Sequence, residues 1–484
     1  MKDTHIELAP DLKISRIVTG LWQIADMERD DKVLDLDLTA RSMKAYSEAG
    51  LTTFDMADHY GSAEKIAGIF TNRYADGDDV QVLTKWVPKP GGSSKEDVQK
   101  AVDCALHRLQ TEQLDLLQYH AWNYADPSYL DELFWLQELQ DEGLIKHLGL
   151  TNFDTAHLNI VLQTGIRVVS NQVCYSLLDQ RVADGMDQLC EEQGVKILAF
   201  GTLAGGFLTE KWLDQDEPKD RKLKTWSQMK YKRYIDEAGG WDKFQVLLKA
   251  LKLTADKHDV SMANVATRFV LDQPAVGAVI IGARLGESEY IQNNLDILKF
   301  TPKEEDWEAV RAAMNELDPI PGDCGDEYRK APYLTASGDL SHHVEKMPPP
   351  YKKRAGPGGR ELVLSGTVWE DIAGFSRAVR KGDRILVSGT TATHGDKVIG
   401  GNDPAAQAHF AIDKIEGAIQ SLGGKLEDVV RTRVYINNVD DWEPIARAHG
   451  QRFRHIQPAN TLVQAGLIGK GYLVEIEAEA LIGS

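Results

Sequence analysis

Residues 80–119 contain the segments VQVLTK (80–85), KEDVQKAVDCALHRL (95–109) and LDLLQY (114–119). The outer two segments are short and apolar, as strands buried in a sheet are. The middle segment places apolar residues at the spacing of a helix with one buried face. Because two parallel strands need a long crossover between them, usually a helix, this order predicts a strand–helix–strand unit of a parallel sheet.

The same alternation continues along the first two thirds of the chain. The predicted strands are Ile14–Gly20, Thr52–Ala57, Val80–Lys85, Leu114–Tyr119, His147–Thr151, Val168–Gln172, Val195–Phe200 and Ala278–Gly282. Helical patterns fill the gaps, for example over Leu38–Ala49, Ser128–Glu142 and Val182–Gln193. Eight such units in roughly 300 residues are typical of an α/β fold of the (β/α)8 TIM-barrel type. A doubly wound sheet is the alternative, and the lack of a GxGxxG motif after the first strand disfavours it.

The connection after the seventh predicted strand is unusually long. Residues 212–241 are rich in Lys, Asp, Tyr and Trp. Loops of this length often form lids over functional sites. An excursion that only covers the outside of the barrel is an equally good interpretation.

The amino-acid composition of the chain changes after residue 334. Pro348-Pro349-Pro350 and Gly356–Gly359 predict an extended linker over 335–360, between a barrel domain at 1–334 and a second domain at 361–484. The predicted strands of the second domain lie near 373–379, 384–389, 428–436, 461–465 and 473–482, and its helices over 404–422 and 441–453. This order predicts a smaller α+β domain, in which a mixed sheet carries helices on one face.

Charge and composition restrict the classes of function. The 484 residues include 55 basic and 74 acidic side chains, a net charge of −19 that disfavours nucleic acid and anionic membranes as partners. No run of about 18 apolar residues predicts a membrane span. The four cysteines form no CxxC pair and no metal-ligand spacing, so we expect free thiols, no metal and a cytoplasmic location.

Four polar residues follow the ends of predicted barrel strands. They are Asp55, Tyr60, Lys85 and His120. The carboxyl ends of barrel strands meet at one rim, so these side chains are expected to converge. Tyr60 can donate a proton to a carbonyl oxygen if the Lys85 cation lies beside it, and Asp55 can hold that cation in place. His120 can donate a hydrogen bond to the developing oxyanion. The set predicts reduction of a carbonyl group.

The barrel segment resembles the aldo-keto reductase family. The motifs that carry the resemblance are FDMADHYG (54–61), TKW (84–86), LLQYH (116–120), GLTNF (149–153), SNQ (170–172), GTLAGG (201–206) and IGAR (281–284). The resemblance implies a small-molecule carbonyl substrate, Tyr60 as the general acid, Lys85 and Asp55 as groups that tune it, and His120 as the group that orients the carbonyl.

The resemblance also implies a site for NADP(H) and leaves NAD(H) open as a second cofactor. Thr151, Asn152 and Gln172 correspond to residues that hold the nicotinamide carboxamide, and Phe200 to an aromatic residue that stacks on the nicotinamide. The expected phosphate-side and adenosine-side contacts are Gly201, Thr202, Leu203, Gly205, Lys211, Gly282, Arg284 and Asn294. A guanidinium at position 284 favours NADP, because it can bind a phosphate through two hydrogen bonds.

Three tryptophans fall near the predicted rim. Trp22, Trp86 and Trp122 are candidates for an apolar wall of the substrate site. Packing within the barrel is an almost equally good interpretation of the three.

The second domain resembles the Rid (YjgF) family. The motifs are ILVSG (385–389), VYI (434–436), QPANTLV (457–463) and VEIEA (474–478). The resemblance implies hydrolysis of reactive imines in active members, a homotrimer, and a pocket that includes Phe375, Ser388, Asn460 and Glu475. Active members carry an arginine at position 460 that grips the substrate carboxylate, and a neutral amide cannot replace it. We therefore expect a domain that is no efficient imino-acid deaminase and serves in ligand binding or assembly.

Two other functions remain as alternatives. The barrel can be a nucleotide-binding sensor or regulator, although all four rim residues of a reductase are present. Alternatively, hydrolysis of imines or enamines by the second domain can be the main activity, which Asn460 argues against. Turnover of NADPH with a carbonyl separates the first alternative from a reductase, and an assay with an unstable imino acid tests the second.

Overall fold

The computed structural model of the chain describes residues 4–28, 32–75, 79–219, 223–287, 289–335 and 347–483. Residues 336–346 of the predicted linker and 220–222 of the long connection lie outside these ranges. The strands are β1 (His5–Ala9), β2 (Leu12–Ser15), β3 (Ile17–Gly20), β4 (Thr53–Asp55), β5 (Gln81–Trp86), β6 (Leu114–Tyr119), β7 (Ile145–Thr151), β8 (Ser170–Cys174), β9 (Lys196–Phe200), β10 (Val276–Gly282), β11 (Lys353–Gly356), β12 (Arg360–Val363), β13 (Ala378–Lys381), β14 (Arg384–Thr391), β15 (Thr393–His394), β16 (Lys397–Val398), β17 (Val429–Ile436), β18 (Ala459–Gln464) and β19 (Val474–Leu481).

The α-helices surround the barrel or cover one face of the second sheet. They are α1 (Trp22–Met27), α2 (Leu36–Ser42), α3 (Lys44–Glu48), α4 (Ala63–Arg73), α5 (Lys95–Leu109), α6 (Ser128–Asp141), α7 (Thr155–Gln163), α8 (Met186–Gln193), α9 (Trp226–Glu237), α10 (Trp241–His258), α11 (Met262–Leu271), α12 (Ile291–Asp296), α13 (Glu304–Asn315), α14 (Asp326–Arg329), α15 (Val368–Ala373), α16 (Pro404–Ser421) and α17 (Trp442–Phe453). None of the helices in the described ranges has the length and apolar composition needed to cross a membrane.

Strands β3 to β10 form a closed parallel barrel, which confirms the predicted (β/α)8 fold. The first predicted strand divides in two: β2 ends at Ser15 and pairs with β1 as an antiparallel hairpin, and the barrel begins at Ile17. Leu8, Leu12 and Ile14 of the hairpin are buried in one cluster with barrel residues such as Leu83. The hairpin thus contributes apolar side chains to the core of the barrel, and only tertiary packing shows this role.

Helix α5 illustrates how local sequence fixes the outer layer. The Ser94 side chain accepts a hydrogen bond from the Asp97 amide, and the Asp97 carboxylate accepts one from the Ser94 amide, which together cap the first turn. Gln110 ends the helix in the left-handed conformation. The apolar residues of the sequence pattern form its buried face, among them Val98 and Val102. Helices that pack on the outside of the barrel in this way do not cover the carboxyl ends of the strands, where a functional site can form.

The second domain contains a seven-stranded sheet in the order β11-β12-β13-β14-β19-β17-β18, which confirms the predicted α+β class. Two details differ from the sequence prediction. The sheet already begins at Lys353, within the predicted linker, because β11 pairs with β12. The segment near 373–379 begins with the end of α15, and its strand starts only at Ala378.

The second domain packs directly on the barrel through α16 and α7. Ile399 and Phe410 are fully buried in the same apolar cluster as the barrel core. A Cβ atom at Gly417 would lie 2.3 Å from the carbonyl oxygen of Ala125, so only glycine allows this close approach. The two domains therefore share an interface with a continuous apolar core.

Candidate active site

Asp55 and Lys85 meet at the rim of the barrel in a buried ion pair. Lys85 Nζ donates to Asp55 Oδ2 at 2.7 Å and to the carbonyl oxygen of Met56 at 2.7 Å. Their side chains are only 4% and 5% exposed. Burial lowers the pKa of Lys85, and Asp55 opposes that effect. The carboxylate is thus the group that keeps a cation in a place where water does not solvate it.

Two amides fix the other oxygen of this carboxylate. Gln118 Nε2 and Gln172 Nε2 donate to Asp55 Oδ1 at 3.2 and 2.7 Å. Gln172 Nε2 also lies 2.9 Å from Gln118 Oε1. Gln172 is one of the residues that the resemblance assigns to the cofactor carboxamide, and in this structure its amide nitrogen donates to Asp55.

Tyr60 lies next to the ion pair. Lys85 Nζ is 4.9 Å from the centre of its ring. Burial, and next the charge of Asp55, raise the pKa of Tyr60 well above its usual value. The phenol therefore keeps its proton through neutral pH and has it available for an oxygen that becomes negative.

His120 stands at the end of β6, as the sequence predicts. Its Nδ1 lies 3.4 Å from the carbonyl oxygen of Thr151. Its ring meets Trp122 edge to face at 4.5 Å and Tyr328 at 5.9 Å between centroids. The imidazole is thus held by neighbours on three elements of the rim.

Two unpartnered polar atoms test whether the rim fits a nicotinamide cofactor. Asn152 Oδ1 and Thr202 Oγ1 are buried and have no hydrogen-bond partner within the described residues. Asn152 also adopts a left-handed backbone, with φ of 58°. An acceptor at residue 152 suits a carboxamide NH2 group, and a hydroxyl at residue 202 suits a phosphate oxygen. These two residues therefore fit the cofactor that the sequence predicts.

The glycine-rich loop after β9 is covered by helix α9 of the long connection. Gly201 and Gly205 have φ of 77° and 64°. A Cβ at Gly201 would lie 2.2 Å from Tyr231 Oη, and one at Gly205 would lie 2.8 Å from the carbonyl oxygen of Ser227. Helix α9 is the element that approaches these glycines closely, so the long connection lies over the loop. Leu203, within the same loop, is half-buried.

The predicted adenosine-side residues Gly282, Arg284 and Asn294 lie at the end of β10 or after it, and Lys211, predicted for the phosphates, lies before α9. Arg284 Nη1 donates to Asp26 Oδ2 at 2.9 Å, and its Nε donates to Glu287 Oε2 at 2.8 Å. Gly282 is exposed at the end of its strand, and Asn294 is half-buried in α12. Lys211 is exposed, with its Nζ 5.2 Å from the centre of the Trp212 ring. The predicted phosphate-reading arginine thus faces two carboxylates.

The three tryptophans occupy different positions. The Trp22 ring is 4.9 Å from the Tyr60 ring and 5.7 Å from the Trp226 ring. Trp122 packs on His120 and donates from Nε1 to the carbonyl oxygen of Pro88 at 2.9 Å. Trp86 is buried against Tyr119. Trp22 and Trp122 flank the catalytic candidates, whereas Trp86 packs within the barrel.

Lys230 and Tyr328 also reach this site, and the sequence motifs do not include them. Lys230 Nζ donates to Tyr328 Oη at 2.8 Å and lies 4.9 Å from the centre of the Phe200 ring. Lys230 belongs to α9 in the long connection, whose length was the only sequence signal for it. Tyr328 belongs to α14 near the end of the barrel segment, where no pattern marks it.

The residues predicted for a pocket in the second domain separate into two groups. A Cβ at Gly389 would lie 2.0 Å from Glu475 Oε1, so that carboxylate lies against the residue after Ser388. The Ser388 hydroxyl itself donates to the carbonyl oxygen of Ser376 at 2.8 Å. Phe375, Ser388 and Glu475 form the first group, and Arg377 lies among them. Its Cζ is 5.5 Å from the centre of the Phe375 ring, and its Nη1 donates to the carbonyl oxygen of Gly389 at 2.6 Å.

Asn460 is separate from that group. Its Nδ2 donates at 2.9 Å to Thr432 Oγ1, a fully buried residue on the helix-covered face of the sheet. Glu475 pairs with Tyr435, which lies three positions further along the strand of Thr432. Because side chains alternate between the faces of a strand, Asn460 and Glu475 lie on opposite faces. One chain alone does not bring them together.

Comparisons with known proteins agree with the barrel. The Aldo/keto reductase family model matches residues 16–315. Aflatoxin B1 aldehyde reductase member 2 from Rattus norvegicus is 28% identical over 302 residues, which cover 58% of this chain and 80% of that protein. The structure of the glycerol dehydrogenase AKR11B4 from Gluconobacter oxydans has a TM-score of 0.54 at 23% identity, covering 67% of this chain and 98% of that one. This likeness supports the fold.

The second domain has relatives of its own. The family model described as Endoribonuclease L-PSP matches residues 368–482. The Streptomyces coelicolor protein SCO2049 is 42% identical over 123 residues, which cover 25% of this chain and 92% of that protein. With a reductase barrel that spans most of its length and a Rid-type domain behind it, the chain belongs to the aldo/keto reductase family.

Proposed function

We propose that this protein reduces an aldehyde or ketone to an alcohol, with NADP(H) as its cofactor and Tyr60 as its proton donor. The buried arrangement of Asp55, Lys85 and Tyr60 is the observation that carries the proposal. Among the described residues, Asp55 is the one carboxylate within hydrogen-bond distance of Lys85. A buried lysine with a single such partner is costly for stability, and the phenol beside it is the group that this cation can serve.

The roles of the residues follow from their chemistry. A nicotinamide cofactor held at the rim would supply the hydride that the carbonyl carbon takes up. Tyr60 donates its proton to the oxygen as negative charge develops there, and the Lys85 ammonium stabilises the phenolate that remains. His120 orients the same oxygen. Asn152 and Thr202 would hold the carboxamide and phosphate groups of the cofactor with their unpartnered oxygens.

NADP(H) is the proposed cofactor because Arg284 can bind an additional phosphate through two hydrogen bonds. Its present partners, Asp26 and Glu287, compete for the same guanidinium. A phosphate must therefore outweigh two carboxylates, which makes a moderate preference for NADP over NAD the expected result.

The decisive experiment measures NADPH oxidation with a panel of aldehydes and ketones, including pyridoxal. Tyr60→Phe should bind NADPH but lose roughly 10²–10⁴ in kcat, the usual contribution of a general acid. Tyr435→Phe is the matched control, because Tyr435 lies on β17 of the second domain, where its hydroxyl pairs with Glu477. NADPH binding without Tyr60-dependent turnover would instead support a sensor or regulator.

For the Rid-type domain we propose a role in ligand binding or in assembly of a homotrimer, without efficient deamination of imino acids. Asn460 is neutral, so it cannot form the charge-assisted hydrogen bond to a substrate carboxylate that an arginine would form, worth about 1.5–3 kcal/mol. The barrel covers α16, whereas Leu386 and Val430 are both 43% exposed on the sheet. Light scattering on the purified chain tests the trimer, and rapid hydrolysis of an unstable imino acid would contradict the assignment.

We also propose a cytoplasmic location. Cys174, Cys190 and Cys324 are buried free thiols, which persist in a reducing compartment. Localisation of a tagged chain by fractionation checks this assignment.

A further inference from the structure

A buried charge network joins the second domain to the barrel. His157 of α7 lies between two carboxylates, with Nδ1 2.6 Å from Asp154 Oδ1 and Nε2 2.9 Å from Asp413 Oδ2. Asp413 belongs to α16 of the second domain, where Arg452 also pairs with it. The side chains of His157, Asp154 and Asp413 are at most 7% exposed. Since carboxylates only accept hydrogen bonds, both ring nitrogens donate, and the imidazole is a cation.

On the barrel side, the network ends at the turn that follows β7. Asp154 Oδ1 accepts the His157 amide at 2.8 Å and so caps α7. The His157 ring stacks on the Tyr124 ring at 3.5 Å between centroids and 8° between planes. Tyr124 Oη lies 3.5 Å from the carbonyl oxygen of Asn152 and 3.4 Å from the amide of Asp154.

A second cation supports the same turn. Arg329 Nη1 donates to the carbonyl oxygen of Asn152 at 2.7 Å, and its Nε donates to that of Ala121 at 2.9 Å. Its Cζ lies 4.4 Å from the centre of the Tyr124 ring. The left-handed conformation of Asn152 is unusual for a residue with a side chain, and such conformations persist only where the surroundings hold them. Tyr124, Arg329 and the His157–Asp154 cap provide that support.

We propose that the second domain acts on the reductase as a positioning element: Asp413, through His157 and Tyr124, holds the Asn152 turn in the conformation that binds the cofactor carboxamide. The cofactor part of this inference rests on the proposed function. The fusion then has a mechanical consequence, because a reductase barrel without the second domain would lack one of the two carboxylates that fix His157.

Asp413→Asn tests the proposal in the full chain. The variant keeps the shape of residue 413 and leaves Arg452 paired with Glu416, so no buried cation loses its last partner. Asp131→Asn is the matched control. It breaks another histidine–aspartate pair between the domains, His394 Nε2 to Asp131 Oδ1 at 2.9 Å, which does not touch the Asn152 turn.

The first readout is the Kd for NADPH, followed by quenching of tryptophan fluorescence. Asp413→Asn should raise the Kd at least about 5-fold, the lower end of typical coupling between sites, while kcat at saturating NADPH changes less than about 3-fold. Asp131→Asn should leave both unchanged. An equal loss in the two variants, or a loss in kcat alone, overturns the proposal.

The second readout needs no cofactor, so it separates failure of this inference from failure of the reductase assignment. Amide hydrogen exchange over residues 152–158 should be faster in Asp413→Asn and unchanged in Asp131→Asn. Tyr124→Phe tests the same link without changing the domain interface, because it removes the hydroxyl that contacts the Asn152 turn and keeps the ring stacked on His157. If Asp413→Asn does not fold, Tyr124→Phe must still raise the Kd, and an unchanged Kd and exchange rate in Tyr124→Phe overturn the proposal.

Discussion

Replacing Asp55 by asparagine tests the electrostatic basis of the reductase assignment. Asp55 is the one acidic group within hydrogen-bond distance of Lys85 Nζ among the described residues, at 2.7 Å. Asparagine keeps the shape and one acceptor oxygen but removes the charge. Because burial already lowers the pKa of Lys85, the lysine should lose its proton in the variant and no longer stabilise a phenolate at Tyr60.

The size of the effect follows from the distance between the two charges. At 2.7 Å and an effective dielectric constant of about 20, the attraction is about 6 kcal/mol. Without an attraction of this size, the burial that lowers the pKa of Lys85 loses the main effect that offsets it, so the neutral amine is favoured in the variant. We therefore expect kcat to fall by roughly 10² or more at neutral pH, within the range that a general acid contributes.

The assay is NADPH oxidation at saturating cofactor and carbonyl between pH 6 and 8. Protonation of Lys85 becomes easier as the pH falls, so the loss in Asp55→Asn should be smaller at pH 6 than at pH 8. Asp55→Asn/Lys85→Met is the control, and it should lose no more activity than Asp55→Asn alone, because both changes remove the same cation. A kcat within about 3-fold of the parent protein, with an unchanged pH profile, would refute the reasoning.

Three further outcomes are expected. Arg284→Ala should weaken NADPH more than NADH in a binding titration, because only NADPH carries the additional phosphate; equal weakening would show that Arg284 does not read it. Gly417→Ala should cost about 1–3 kcal/mol of stability in urea unfolding, since its Cβ would meet the Ala125 carbonyl oxygen at 2.3 Å. The control Gly450→Ala, whose Cβ would meet nothing within 4 Å, should stabilise α17 slightly. Similar effects of the two substitutions would exclude a tight interface at Gly417. Burial lowers the pKa of His157, but Asp154 and Asp413 outweigh it and raise that pKa from 6.5 to about 9. Up to about 3 kcal/mol of the free energy of unfolding, fully present below pH 6.5, should therefore be lost as the pH rises through 9. If His157→Gln loses the same amount of stability over this pH range, His157 is not the group responsible.

The catalytic candidates could be predicted from sequence because they depend on local order. Asp55, Lys85 and His120 each lie at or just after the end of a strand with a clear apolar pattern, and a closed parallel barrel brings all such ends to one rim. Tyr60 follows five residues after Asp55, so the same strand end places it nearby. The α+β class of the second domain was predictable for the same reason, since strand and helix periods are local properties.

Other features depend on contacts between residues far apart in the chain, which no local pattern encodes. Lys230 and Tyr328 are 98 residues apart, and His157 and Asp413 are 256 apart. Their positions are decided by how α9 lies over the rim and how α16 packs on α7. Asn460 shows the same limit within one domain, because its face of the sheet follows from the register between β17 and β18. The sequence by itself determined the barrel and which residues lie at its rim, because strand and helix periods and strand-end positions are local. Tertiary packing decided what covers that rim and what holds the Asn152 turn, because the energies of those contacts exist only once distant segments are buried together.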